Sequence, residues 1–163
     1  MSEVDSLFDQ AYKLHVVDEN HREAIVLCRR ALAIEPNNYR IRVFLGMLLG
    51  DYGSPDEVDE ARVHFLAAIK GAERVSMFCT DWPEEAAIHH LGVWEIARKH
   101  ELAASLFFLI DYLVCGNDSS YRYLINILQD KNIELSQEIQ SLLGRVRGMR
   151  AFASADAESS ETD

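Results

Sequence analysis

Proline is scarce in this chain: Pro36, Pro55 and Pro83 are the only three in 163 residues. Each stands at an expected helix edge, so none interrupts a helix interior. Signals for β-structure are equally thin. No stretch sustains an apolar–polar alternation and no Asn-Gly pair marks a hairpin, which excludes a sheet as the organising element. Cysteine is limited to Cys28, Cys79 and Cys115, an odd number at wide spacing. That pattern suggests neither a disulfide framework nor a CxxC metal site, and a reducing cytoplasm is the expected compartment. Positive charge is in the minority, with 16 bases against 27 acids and a net charge of -11. Such a field repels phosphate backbones and anionic lipid. Nucleic acid and membrane surface are therefore not expected as partners, and a basic protein surface is.

Long apolar runs are missing too. The longest, Leu102 to Ile110, contains Ser105 and ends at Asp111, too short to cross a bilayer. The opening MSEVDSLF has acids where a secretory signal needs bases. What remains is globular in composition: 48% hydrophobic and 26% charged, enough for one domain with a core over residues 1–150. The final segment AFASADAESSETD, residues 151–163 with its last alanine run included, is small, polar and acidic, and is expected to be disordered.

Capping patterns set the expected helix starts. Ser54-Pro55-Asp56-Glu57 offers a cap, a first-turn proline and a carboxylate three residues on. Asn20 and Glu23 have the same spacing, and Asp81 precedes Trp82-Pro83. With helical spacing of apolar residues between these points, helices are predicted near 3–17, 21–34, 39–50, 55–70, 83–98, 101–115, 120–130 and 133–149. The fold class expected is all-α.

A small–bulky–small motif recurs on the second helix of successive pairs: Ala24, Cys28, Ala31; Ala61, Phe65, Ala68; Ala104, Phe108, Asp111. Upstream of it stand Ala11-Tyr12, Leu45-Gly46 and Leu91-Gly92. The interval from that pair to the alanine is the same in the first and third copies and three residues longer in the second, where GDYGSPDEVDE carries an insertion. With Phe8 and Pro36 in the first copy and Ile88 in the third, the pattern resembles the tetratricopeptide-repeat family. The resemblance implies a solenoid of antiparallel helix pairs, with repeats near 5–38, 39–72 and 85–118 and capping helices over 120–149. The sequence departs from the family pattern at four places. The first copy lacks the glycine, Arg42 replaces a bulky anchor, Asp111 replaces a small residue, and the linker AERVSMFCTDW is long. Leu135, Ile139, Leu142, Leu143 and Val146 form an amphipathic stripe suited to capping the last repeat, or to joining two copies.

No catalytic constellation is apparent. The six histidines include no HExxH and no paired Glu-x-x-His, and the adjacent His89 and His90 point about 100° apart on a helix. No cofactor and no metal are expected. Cys28 falls at a packing position, and no nucleophile elbow or glycine-rich phosphate loop occurs. Arg145, Arg147 and Arg150 sit where a helix C-terminus favours positive charge.

The resemblance instead implies a concave groove lined by the first helix of each pair. The expected groove residues are Lys13, Arg40, Val43, Met47, His89, Val93 and Ile96, with an acidic rim of Asp51, Asp56, Glu57, Asp59 and Glu60. The expected partner is a protein segment, apolar with basic flanks, held by a scaffold or adaptor that is a monomer or homodimer. A secretion chaperone of this architecture and an immunity-type inhibitor of a basic toxin are alternative roles.

Overall fold

The computed structural model describes residues 2–71 and 87–131, together with 133, 137, 140, 141 and 143–145. Those residues form helices and no strands. In chain order the helices are α1 (Glu3–Val16), α2 (His21–Ile34), α3 (Tyr39–Tyr52), α4 (Pro55–Gly71), α5 (Ala87–Ala97), α6 (Glu101–Cys115) and α7 (Asp118–Asp130). Sequential helices pack side by side as pairs α1/α2, α3/α4 and α5/α6, with α2 on α3, α4 on α5 and α7 on α6. The Asp81 cap, the start at Pro83, Cys79, the stripe residues Leu135, Ile139, Leu142 and Val146, the arginines Arg147 and Arg150, and the segment 151–163 lie outside the described residues. Cys115 is disulfide-bonded, contrary to the expectation drawn from cysteine spacing.

Local chemistry explains the boundaries. At α1, Ser2 accepts from the Asp5 amide while Asp5 accepts from the Ser2 amide, a reciprocal capping box that sequence reading missed. Asn20 accepts from the Glu23 amide as expected. At α4, the Glu57 carboxylate takes both the Ser54 amide at 2.9 Å and its hydroxyl at 2.7 Å. The helix expected over 39–50 runs on to Tyr52, and the one expected from 120 begins at Asp118, because Asn117 caps it through the Ser119 amide. The turns into α2 and α6 each hold one non-glycine residue in the left-handed region, Glu19 (φ 52) and Lys99 (φ 62).

The pairs cross closely where small residues face large ones. A Cβ built on Gly46 falls 2.6 Å from the Phe65 ring, and one built on Gly92 falls 2.7 Å from the Phe108 ring. Neither position admits a side chain without moving an aromatic that is itself buried. The main core runs from Val4 on α1 to Trp94 on α5. A smaller cluster of Ala104, Phe108 and Leu124 joins α6 to α7, with Val93 and Ile96 packed on it.

Candidate binding groove

The first helices α1, α3 and α5 present two neighbouring cavities. The larger, about 360 Å³, lies between α1 and α3 and is lined by Phe8, Tyr12, His15, Val16, Tyr39, Arg40, Val43, Phe44 and Met47. The smaller, about 140 Å³, lies between α3 and α5, with Gly50, Asp51, His90, Val93 and Trp94 among its lining. Met47 lines both. The size and apolar lining of the larger cavity are those of a side-chain or small-ligand pocket.

Its walls are aromatic. The Phe8 and Phe44 rings meet edge to face at 5.3 Å, and Tyr12 lies 5.9 Å from Phe44. The Arg40 guanidinium covers the Phe8 ring at 4.2 Å. The Tyr39 phenol oxygen accepts from the Ala87 amide, which ties the start of α3 to the start of α5. One of its lining residues, His15, belongs to a histidine pair. His15 and His21 face each other Nδ1 to Nδ1 at 3.1 Å, so one donates and the other accepts. His21 stacks on Tyr52 at 3.6 Å, and His15 stands edge-on to Phe44. Burial holds His15 below its ordinary value, and the His21 charge lowers it further, while Asp51 acts the other way. Burial raises the Asp51 carboxyl.

Of the residues expected in the groove, Arg40, Val43 and Met47 line the α1/α3 cavity, and Val93 lines the α3/α5 cavity. Lys13 is exposed and lines neither. Ile96 packs towards α6 and α7. His89 lies away from the groove and is buried against α6 and α7. There Ser120 Oγ donates to Asp111 Oδ2 and stands 2.7 Å from His89 Nδ1, and Asn117 donates to Asp111 at 2.9 Å. The serine proton thus goes to the carboxylate, without an intervening imidazole, and the four buried side chains tie α5 and α6 to the start of α7.

The acids expected to form a rim are mostly occupied within the chain. Glu57 pairs with Arg22 and Arg29, Glu60 with Arg29 and His64, and Asp59 with Arg98. The Ser54 amide and hydroxyl, helped by Arg22, hold Glu57 down at about 2. Asp51 lines the smaller cavity and Asp56 is exposed. Burial pushes the Cys28 thiol up to about 12, so it is a packing group and not a nucleophile. Among the described residues, no three His, Cys, Asp or Glu side chains are placed to hold a metal ion, and no helix is long and apolar enough to cross a membrane.

Sequence reading missed Phe8, Tyr12, His15, Tyr39 and Phe44 as lining residues. A signal was present: Phe8, Tyr12 and His15 follow the i, i+4, i+7 spacing of one helix face. It was hidden because Tyr12 occupies the register place of Gly46 and Gly92, which reads as a packing position. No protein-family model matches the chain, and no curated protein matches it.

Proposed function

We propose that this chain is a tetratricopeptide-like protein-binding module that holds an extended segment of a partner protein along α1, α3 and α5. One observation carries the reading: two cavities share Met47 on adjacent first helices, so a single strand of partner can seat successive side chains in both. The recurrence of the Gly46–Phe65 and Gly92–Phe108 contacts supports the repeat architecture. The aromatic walls favour a large apolar or aromatic anchor in the α1/α3 cavity. Burying one such side chain yields about 1.5–3 kcal/mol before ordering costs. The net charge of -11 favours basic flanks through the long-range field, although the pairing of Glu57, Asp59 and Glu60 leaves Asp51 as the rim acid nearest the groove. The reading assigns no catalytic residue and no cofactor.

Peptides selected from a displayed library on the full chain test it. The expected winners carry two large apolar residues near lysine or arginine and shift the amide resonances of Phe8, Tyr12, Val43 and Met47. Met47→Asp is expected to weaken them at least about tenfold with the helical spectrum unchanged, since a desolvated carboxylate is left unpaired in the complex. Winners that bind Met47→Asp as tightly and shift α2 or α4 instead would reject the groove.

A further inference from the structure

The turn between α1 and α2 brings two imidazoles into contact. His15 lies in the last turn of α1, and His21 is the first residue of α2. The Asn20 amide donates to the Leu14 carbonyl, which folds the turn back on α1. The two rings meet Nδ1 to Nδ1 at 3.1 Å. A contact of that length between ring nitrogens needs one N–H and one lone pair. The pair supplies both when it carries no extra proton, and again when it carries one. With two extra protons both Nδ1 atoms are donors, and the bond is lost. Helix α3 completes the surroundings. His21 lies face-on to the Tyr52 ring at 3.6 Å, while His15 stands edge to face with Phe44 and Tyr52 at 5.6 and 5.8 Å. The charges that act on His15 are His21 from α2 and Asp51 from α3. Lys13 on its own helix, Asp18 and Glu19 in the turn, and Arg22 on α2 are exposed, and Arg22 is engaged by Glu57.

We infer that the His15–His21 pair is a proton switch on the α1/α3 cavity, which holds an apolar or aromatic anchor while one imidazole is neutral and releases it when both are protonated. The inference rests on the groove reading above and adds its regulation. His15 lines the cavity, so the state of the pair is the state of the wall. Whichever ring gives way to the second proton, the wall changes. A displaced His15 leaves it, and a retained His15 carries charge into it. An anchor seated there strips water from the wall. A neutral imidazole tolerates this, whereas an imidazolium loses hydration that the other lining residues, which include no carboxylate, do not replace. Asp51, the acid that acts on His15, lines the smaller cavity instead. Basic flanks on the partner meet the same added charge, beside the cation already present at Arg40. Burial first, and then the His21 charge, keep His15 below its ordinary value, so the bonded form is the one present at neutral pH.

NMR of the imidazole nitrogens in the full chain, titrated from about pH 8 to about pH 5.5, tests the pair with no partner present. The His15 midpoint is expected to rise by at least about 0.5 in His21→Phe, because the second charge is gone. Indole, neutral across this range, then stands in for the anchor. Its dissociation constant is expected to rise at least about threefold between about pH 7.5 and about pH 5.5 in the native chain. In His15→Phe, which keeps a ring on the wall without the charge, the change is expected to stay below about 1.5-fold. A His15 midpoint that does not respond to His21→Phe shows that the rings do not share the contact, and overturns the switch while leaving the groove reading standing. Indole affinity that is equal at both ends of the range, or a loss that persists in His15→Phe, overturns it as well. Absence of indole binding throughout, with the coupled titration present, rejects the cavity as a seat and takes the switch with it.

Discussion

The first helix pair and the two that follow solve the same packing problem in opposite ways. In α3/α4 and α5/α6 a glycine yields space to a phenylalanine, Gly46 to Phe65 and Gly92 to Phe108. Gly92 and Phe108 are sixteen residues apart, and so are Tyr12 and Cys28 in α1/α2. There the large and small residues have changed sides. Cys28 is fully buried and leaves room at the crossing, while Tyr12 is half exposed and forms a wall of the α1/α3 cavity. The difference shows how one helix pair can hold its aromatic in a cavity wall where the other two hold theirs in the core. The Tyr12 ring stands against Phe8 and Phe44 in the cavity wall, so the α1/α2 pair carries no aromatic at the place that Phe65 and Phe108 fill in the other two.

Truncation breaks that comparison most severely. Phe65→Ala and Phe108→Ala are each expected to lose about 3–5 kcal/mol, whereas Cys28→Ala is expected to lose about 1 kcal/mol. Urea denaturation of the three variants checks the contrast, and equal losses would deny that the first crossing is differently filled. Next in size is Asp111, which stands where the other copies have Ala31 and Ala68. Asp111→Ala is expected to cost about 2–3 kcal/mol, because Ser120 and Asn117 lose their buried acceptor. Thermal melts would show instead a neutral or stabilising change if the carboxylate were merely tolerated there.

Acid should act on two histidines, His15 on α1 and His64 on α4, both held below their ordinary value first by burial. The folded value of His15 lies below its ordinary 6.5, so the unfolded chain takes up this proton first. The associated stability is present above pH 6.5 and is lost as the pH falls from there through the folded value. Burial moves the Asp51 carboxyl in the opposite direction, upward. The urea midpoint is therefore expected to drop on acidification from neutral pH, and the drop is expected to shrink in His15→Phe. An undiminished drop in that variant would place the titration elsewhere. The smallest effect concerns the turns. Glu19 and Lys99 hold left-handed backbone that glycine adopts without cost, so Glu19→Gly and Lys99→Gly are each expected to stabilise by up to about 1 kcal/mol. A loss of stability in both would mean that the side chains, not the backbone, matter there.

Much of this arrangement was legible in the residues. Helix spans followed from caps and apolar spacing, since those are local: Asn20 accepts from the Glu23 amide, and Glu57 accepts from the Ser54 amide. The recurring Leu-Gly pairs also located the close crossings at Gly46 and Gly92. What escaped was non-local. Glu57 and Glu60 read as solvent-facing acids until α2 brings Arg22 and Arg29 against them from about thirty residues away. His89 reads as a groove residue until α7 brings Ser120 to it. Tyr12 was misplaced for a different reason: it stands at the register place of Gly46 and Gly92 and so reads as a packing residue, whereas its ring lies with Phe8 and Phe44 in the cavity wall.

The exchange at the first crossing is tested most directly by a double-mutant cycle between positions 12 and 28, read by urea denaturation. Cys28→Phe alone is expected to cost about 2–3 kcal/mol by overpacking against the Tyr12 backbone and Cβ. Tyr12→Gly with Cys28→Phe rebuilds the arrangement of the other two pairs and is expected to recover most of that loss, with a coupling of at least about 1.5 kcal/mol. Effects that add to within about 0.5 kcal/mol would contradict the account, because positions 12 and 28 would then not share one volume.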